Sequence, residues 1–239
     1  MALIHPNMTM SGVVEGHTSL IPVLNRLGIR LGLQDKSVRE VCEEHGLDTD
    51  FVLIILNAFL NEEYFPERRL KMFHVSQIID YLDKTNQYYL RYQLPNIARH
   101  THSFITQSTP VNATLGLIGR FFASFEEQLT RRIHEDEQEW FPYCLALSRC
   151  LEENPTFDAD TPFAIPDEPA LDDPIEALLA DLKRIMIKHL SGAYNENLCY
   201  AVIFAISSLE KDIKQHNRIR NRILKPMVKE MELIEKTSR

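Results

Sequence analysis

Apolar residues recur with the 3.6-residue period of an α-helix along most of this 239-residue chain. Such a repeat collects them on one face of each helix, and that face must pack against other helices to leave water. Glycine, which weakens helices, occurs only 8 times, and the alternating β-branched runs typical of strands are few. The sequence therefore predicts an all-α protein.

The first of two predicted domains covers residues 1–66 and contains three short helices. Ser37 and Glu40 have the spacing of a capping box, in which each side chain satisfies the other's backbone N–H. Gly46 suits the end of the same helix, and the segment Tyr64–Arg69 is predicted to be the linker to the next domain. The three helices are expected at Leu20–Leu27, Ser37–Gly46 and Asp48–Glu62.

The second predicted domain, residues 67–239, holds four long helices. Pro95 and Pro142 fall inside two of them, and a kink is expected at each because the proline ring removes a backbone hydrogen bond. Residues 154–174 are rich in proline and acidic side chains and are predicted to form a long loop. Four helices joined in this way form an up-down-up-down four-helix bundle with one extended crossover. The helices are expected from Ser76 through Ile97, at Thr114–Glu152, at Ile175–Leu190 and at Asn195–Lys236.

Composition excludes several classes of function. The net charge of −8 argues against general nucleic-acid binding, which needs concentrated lysine and arginine. No apolar run approaches a membrane span and the N-terminus lacks the outline of a signal peptide, so a cytoplasmic protein is expected. The four cysteines are scattered and are interpreted as buried free thiols. Phosphate loops, nucleophile elbows and zinc-type cysteine and histidine clusters are all missing from the sequence, so no enzyme activity is expected.

Two segments resemble binding elements and have simpler interpretations. Ser37–Leu60 has the outline of a helix-turn-helix, but its second helix begins with Asp48 and Asp50 followed by apolar residues. DNA reading needs polar or basic side chains there, so packing is the preferred interpretation. The last helix carries a basic run, which is interpreted mainly as a solvated helix face. Its members are Lys214, Arg218, Arg220, Arg222, Lys225 and Lys229.

The segment Arg131–Pro142 has the outline of a di-iron helix motif. Hemerythrin-like bundles place His-x-x-x-Glu on helices that face two irons, because residues four apart share one helical face. An apolar exit such as Phe141-Pro142 often follows. Counting back from that exit, the histidine place holds Arg132 and the glutamate place holds Asp136. A guanidinium group cannot coordinate iron.

The chain resembles the repair-of-iron-centres family, hemerythrin-like di-iron proteins implicated in mending iron–sulfur clusters after nitric-oxide or oxidative stress. Ile79-Asp80-Tyr81 and Leu90-Arg91-Tyr92-Gln93-Leu94-Pro95 are similar to the first bundle helix of that family. Leu27-Gly28-Ile29 and the run from Ser37 to Asp48 are similar to its small N-terminal domain. The resemblance implies a hemerythrin-like four-helix bundle with a small N-terminal helical domain, and a homodimer.

The ligand residues of the family are mostly replaced in this chain. The resemblance places histidines at the positions of Gln87, Arg132 and Leu182, and glutamates at those of Asp136 and Arg220, while His216 is kept. Neither a metal nor a cofactor is therefore expected. Arg132 and Arg220 are expected to fill the bundle centre by pairing with Asp136 and hydrogen-bonding to Gln87, because an unpaired buried charge is costly.

The preferred interpretation is a non-catalytic relative of the family that binds or regulates a protein partner in a stress response. A first alternative is a di-iron protein that repairs clusters through altered donors, namely His134, Asp136, Glu137, His216 and nearby tyrosines. A second alternative, a DNA-binding regulator, is disfavoured by the acidic charge.

Overall fold

The computed structural model describes residues 3–108, 113–153 and 173–238, and helices make up most of them. The all-α prediction is therefore confirmed. The chain divides into two compact units. The first contains the residues up to Thr85 together with Arg218–Met227, and the second contains the residues from Asn86 to Asn217 together with those from Val228 onward. The predicted division of the chain at residue 66 stays a prediction.

The first unit contains five short helices and most of a sixth, longer one. Two of the short ones, with 7 and 4 residues, were not predicted from the sequence; they are α1 and α5, and no side chain caps the start of either. A 3₁₀ turn at Thr18–Leu20 precedes α2. The helices are α1 (Met10–Gly16), α2 (Ile21–Arg26), α3 (Val38–Glu44), α4 (Thr49–Leu60), α5 (Glu67–Leu70) and α6 (Val75–Tyr88).

Local capping explains where α3 and α4 begin. The Ser37 hydroxyl accepts from the Glu40 N–H at 3.2 Å, and a Glu40 carboxylate oxygen accepts from the Ser37 N–H at 2.7 Å. The predicted capping box is thus confirmed. Asp48 caps α4 by accepting from the Phe51 N–H at 2.9 Å. Gly46, just beyond α3, has a φ of 63°, a conformation that glycine adopts without strain.

The long helices continue beyond the first unit. Three of them contain a π-helical turn, named here π1 (Tyr89–Gln93), π2 (Asp136–Trp140) and π3 (Arg220–Leu224). The α-helical stretches are α7 (Leu94–Gln107), α8 (Ala113–Glu135), α9 (Phe141–Glu153), α10 (Pro174–His189), α11 (Glu196–Ile219) and α12 (Lys225–Ser238). Residues 154–172 of the predicted acidic loop lie outside the described residues. Its last two residues, Asp173 and Pro174, belong to the start of α10.

Each π turn ends two residues before a proline, at Pro95, Pro142 and Pro226. At all three, the residue before the proline donates its N–H to the carbonyl five positions back, as in Phe141 to Asp136. A proline in a regular α-helix lacks one donor, and its ring collides with the carbonyl four residues earlier. The wider turn relieves both problems. Where the sequence predicts a simple kink, the helix therefore gains one extra residue.

The core of the second unit is shared by four helices. Buried apolar side chains from α7, α8, α10 and α11 form one cluster, which includes Phe104, Phe125, Leu182 and Ile206. Full burial of one such side chain contributes about 1.5–3 kcal/mol to folding. Packing of these four apolar faces accordingly supplies the main stabilisation of this unit and fixes where its polar side chains lie.

All four cysteines are buried free thiols, as predicted. Burial raises the pKa of the Cys199 thiol and thus keeps it protonated. Within the described residues, no helix combines the length and the apolar character that crossing a membrane requires.

Candidate functional site

Five of the six positions that the resemblance predicts as iron-ligand positions belong to the second unit. Asp136 and His216 are almost completely buried, at 1% and 2% exposure. Gln87 and Arg132 are half-buried. Leu182 is fully buried within the apolar core and carries no atom that could bind a metal.

Arg132 forms a salt bridge that the sequence analysis did not name. Its Nη1 lies 2.9 Å from Oδ2 of Asp173, and both side chains are less than a fifth exposed. The other oxygen of Asp173 accepts from the N–H groups of Ile175 and Glu176 at 2.9 and 3.2 Å and caps α10. The structure gives Arg132 the Asp173 carboxylate as a partner, and the hypothesised pairing with Asp136 stays a prediction. One carboxylate thus caps α10 and ties it to α8.

Gln87 hydrogen-bonds to a carboxylate. Its Nε2 donates to Oε1 of Glu137 at 2.6 Å and so joins the end of α6 to π2. The expectation that Gln87 bonds to an arginine is wrong for the described residues. An arginine side chain offers only donors, so the amide N–H of Gln87 takes its acceptor from the Glu137 carboxylate.

A third polar contact joins α10 to α11. The Nδ2 of Asn217 donates to Oε1 of Glu176 at 2.6 Å. Further along, Lys183 of α10 pairs with Glu210 of α11. Since the start of α10 meets the end of α11, and positions seven residues inward on each helix also meet, the two helices run antiparallel.

Glu210 is the ionised centre of a small charge cluster. Lys214 lies 3.3 Å from its Oε1, and Lys183 bonds to its other oxygen. Burial raises the pKa of the Glu210 carboxyl, but the hydrogen bond from Lys183 and the charges of Lys214 and Lys183 outweigh that effect. The pKa of Glu210 is consequently lowered.

Three of these contacts connect helices close to the predicted ligand positions, and we call them the polar belt. Two meet at the first turn of α10, and the third is one helical turn beyond Arg132. Direct contacts between side chains thereby link α6, α8 with π2, α10 and α11 in this region. The polar belt consists of Gln87–Glu137, Arg132–Asp173 and Asn217–Glu176.

Two residues with metal-binding chemistry lie inside the second unit. His216 packs against the Tyr89 ring with a centroid distance of 5.9 Å, and Asp136 begins π2. His134, by contrast, is exposed on α8. Two residues along a helix are rotated by about 200°, so His134 and Asp136 point to different sides of it. The altered donor set proposed from the sequence is not brought together as a whole.

The basic run at the end of α11 is partly engaged within the first unit. The Cζ of Arg218 lies 4.2 Å from the centroid of the Phe65 ring, and Arg222 contacts the same ring at 5.2 Å and pairs with Glu67. Arg220 is half-buried, and its Nη1 donates to Oδ1 of Asn221 at 3.5 Å. Arg222 is exposed, as the interpretation as a solvated face expects, whereas Arg218 is half-buried against the Phe65 ring.

The predicted helix-turn-helix segment serves packing. In α4, Phe51, Ile54, Leu56 and most of their neighbours are buried. Asn57 of the same helix is also buried and exchanges two hydrogen bonds with the backbone of Ile4, at 2.7 and 3.1 Å. A helix enclosed in this way has no free face to place in a DNA groove.

Three residues of the polar belt, Asp173, Glu176 and Asn217, were not identified by the sequence analysis, and Glu137 was named there only as an alternative metal donor. Asp173 could have been found as a cap, because it precedes a proline at the start of a helix. Nothing local marks Glu137 or Glu176 as partners of Gln87 or Asn217.

Among the described residues, no group of three or more histidine, cysteine, aspartate or glutamate side chains is arranged to hold a metal ion. Neither a family model nor a curated protein matches the chain.

Proposed function

We propose that this protein is a hemerythrin-like four-helix bundle, related to the iron-centre repair proteins, that acts without catalysis by binding or regulating a protein partner. The observation that carries the proposal is the polar belt. In a di-iron bundle the ligands connect the helices through the metal. Here Arg132 and Gln87, at two of the ligand positions, connect helices by direct contacts with Asp173 and Glu137.

The charge of Arg132 supports the same proposal. Its guanidinium group repels cations and is always protonated, and it is held in place by a carboxylate that also caps α10. Loss of that pair would remove an ionic contact from a guanidinium group whose side chain is only 14% exposed, so the local structure favours the arginine over a metal. The role in a nitric-oxide or oxidative stress response, the homodimer and the cytoplasmic location rest on the resemblance and the sequence alone.

The alternative is a protein that retains iron and repairs iron–sulfur clusters. The burial of both Asp136 and His216 favours it, because a carboxylate and an imidazole inside a bundle are suitable iron ligands. Two protein donors are few for a pair of irons, which need several anionic or imidazole ligands with further hydrogen-bonding support.

A repair assay separates the two functions. A hydratase whose [4Fe–4S] cluster has been damaged by nitric oxide is incubated with the purified chain, ferrous iron and a thiol reductant. The proposal predicts the same recovery of hydratase activity as without the chain. Recovery that requires the chain, and that is lost in Asp136→Asn and in His216→Ala, would establish the alternative.

A further inference from the structure

A cavity of about 380 Å³ opens beside π1, on a part of the second unit that the proposed function does not use. All of its lining residues belong to one helical stretch, residues 88–99, so it is an open groove along that helix. Arginine, tyrosine and amide side chains line it, and none of the lining residues is acidic. The residues that matter here are Tyr88, Arg91, Tyr92, Gln93, Asn96 and Arg99.

Two guanidinium groups of the cavity are available to an anion. Arg91 and Arg99 are both exposed, and within the described part of the chain neither contacts a carboxylate. Arg99 donates only to the amide oxygen of Asn96, at 2.7 Å. In a chain with a net charge of −8, two cations without an acidic neighbour create a local positive potential that attracts anions. Phosphate oxygens are the natural ligand, because the planar fork of arginine matches them.

The same cavity presents an aromatic surface. The rings of Tyr88 and Tyr92 lie 5.6 Å apart at 41°, and Tyr92 remains 59% exposed. The Gln93 amide holds Tyr88 in place by donating to its hydroxyl at 3.1 Å. The Tyr92 ring, which is exposed and packs against Tyr88, can stack with a planar base. Tyr92 and Arg99 are seven residues apart, about two helical turns, and both line the cavity.

We propose that this cavity binds a mononucleotide, with its phosphates on Arg91 and Arg99 and its base against Tyr92. The phosphates meet the two arginines, and the base meets the aromatic surface. A phosphate alone would leave the tyrosines unused, and a nucleoside alone would leave both cations unpaired. The site needs no metal, and it is separate from the polar belt.

Calorimetric titration of the full chain with ADP, GDP and UDP tests the proposal, with adenosine and pyrophosphate as partial ligands. At least one nucleotide should bind, and adenosine and pyrophosphate should each bind roughly tenfold more weakly or worse, since each lacks one group of contacts. Arg91→Ala and Arg99→Ala should each reduce nucleotide affinity by roughly tenfold. Tyr92→Ala should reduce it by roughly fivefold or more, and Tyr92→Phe, which keeps the ring, should restore it.

Arg120→Ala is the matched control, because it removes an exposed arginine of the same unit outside the cavity. Its nucleotide affinity should equal that of the unmodified chain. The proposal is overturned if none of the three nucleotides binds at millimolar concentration, or if pyrophosphate binds as tightly as they do. An equal loss in Arg120→Ala would also overturn it, because binding would then follow net charge alone. Far-ultraviolet circular dichroism of each variant verifies that its helices are intact.

Discussion

At the scale of single residues, Asp173 has two structural roles, as a helix cap and as a salt-bridge partner. One of its oxygens caps α10 and the other pairs with Arg132. Both roles need an oxygen acceptor, but only the second needs a negative charge. Substitutions that differ in charge and in capping ability can therefore separate the two contributions.

Asp173→Asn should lower the free energy of unfolding by about 1–3 kcal/mol, because asparagine caps a helix well but cannot pair with Arg132. Asp173→Ala should lower it by about 1 kcal/mol more, because the cap is lost as well. Urea denaturation followed by circular dichroism measures both values. In the Arg132→Met background, Asp173→Asn should cost far less than in the unmodified chain. An equal cost in both backgrounds would show that the pair is not coupled.

Glu210 makes a pH-dependent contribution to stability. Its pKa is lower in the folded protein than its ordinary value of 4.5, so the folded state favours the ionised form. The stabilisation is complete above the ordinary value and is lost as the pH falls through the lowered one. Glu210→Gln should thus destabilise the protein at neutral pH, and the difference from the unmodified chain should shrink below about pH 4.5.

Urea denaturation at several values between pH 3 and 7 measures this difference. Glu127→Gln, which changes an exposed glutamate of α8, is the control and should follow the unmodified chain throughout. A constant deficit of Glu210→Gln across the whole range would contradict the assignment of the effect to ionisation.

At the scale of elements, the repeated association of a π turn with a proline two residues later is the main irregularity of the long helices. The sequence indicates the prolines but predicts continuous helices with kinks, because a period of 3.6 residues is too coarse to reveal one inserted residue. The insertion determines which of the following side chains face the core. Each residue after it is rotated by about 100° from the position that it would have in an uninterrupted α-helix of the same sequence.

Removal of one residue from π2 tests this interpretation. Deleting exposed Gln138 should convert the turn to regular α-helix and keep both flanking faces in register, but Pro142 then costs about 3 kcal/mol. Deleting Gln138 together with Pro142→Ala should recover most of that loss. Deleting exposed Glu127 from the middle of α8 is the control, and it should abolish cooperative unfolding because the core face is rotated away. Thermal denaturation measures the stability of all three variants. The Gln138 deletion with Pro142→Ala should be the most stable, the Gln138 deletion alone should follow, and the Glu127 deletion should be the least stable. Any other order would contradict the role given to π2.

Local signals predicted several element boundaries correctly. The capping box of Ser37 and Glu40 and the cap at Asp48 act over three residues, so the sequence contains everything that they need. The contacts of the polar belt, by contrast, join residues that are far apart in the sequence. Arg132 and Asp173 are 41 residues apart, and Gln87 and Glu137 are 50 apart. Their pairing depends on how the helices pack, which no local pattern contains.

At the scale of the whole molecule, several arginines of the chain are engaged by neighbouring side chains within each unit. Its predicted basic run meets Phe65 and Glu67 in the first unit, and its ligand-position arginine meets Asp173 in the second. Reasoning from the sequence identified which residues depart from a di-iron pattern, and it anticipated that Arg132 needs a carboxylate. It did not identify Asp173, because that residue lies 41 positions from Arg132 in the sequence and is near it only in the folded chain.

We propose that direct contacts between side chains stand in place of iron at the positions that the resemblance assigns to the family's ligands. The most direct test is the iron content of the chain, measured by elemental analysis after purification without chelators from iron-supplemented cultures. A variant with the family's ligand types restored, carrying Gln87→His, Arg132→His, Asp136→Glu, Leu182→His and Arg220→Glu, is measured beside it. The unmodified chain should contain far less than one iron per chain and the variant more, whereas about two iron ions per unmodified chain would contradict the claim.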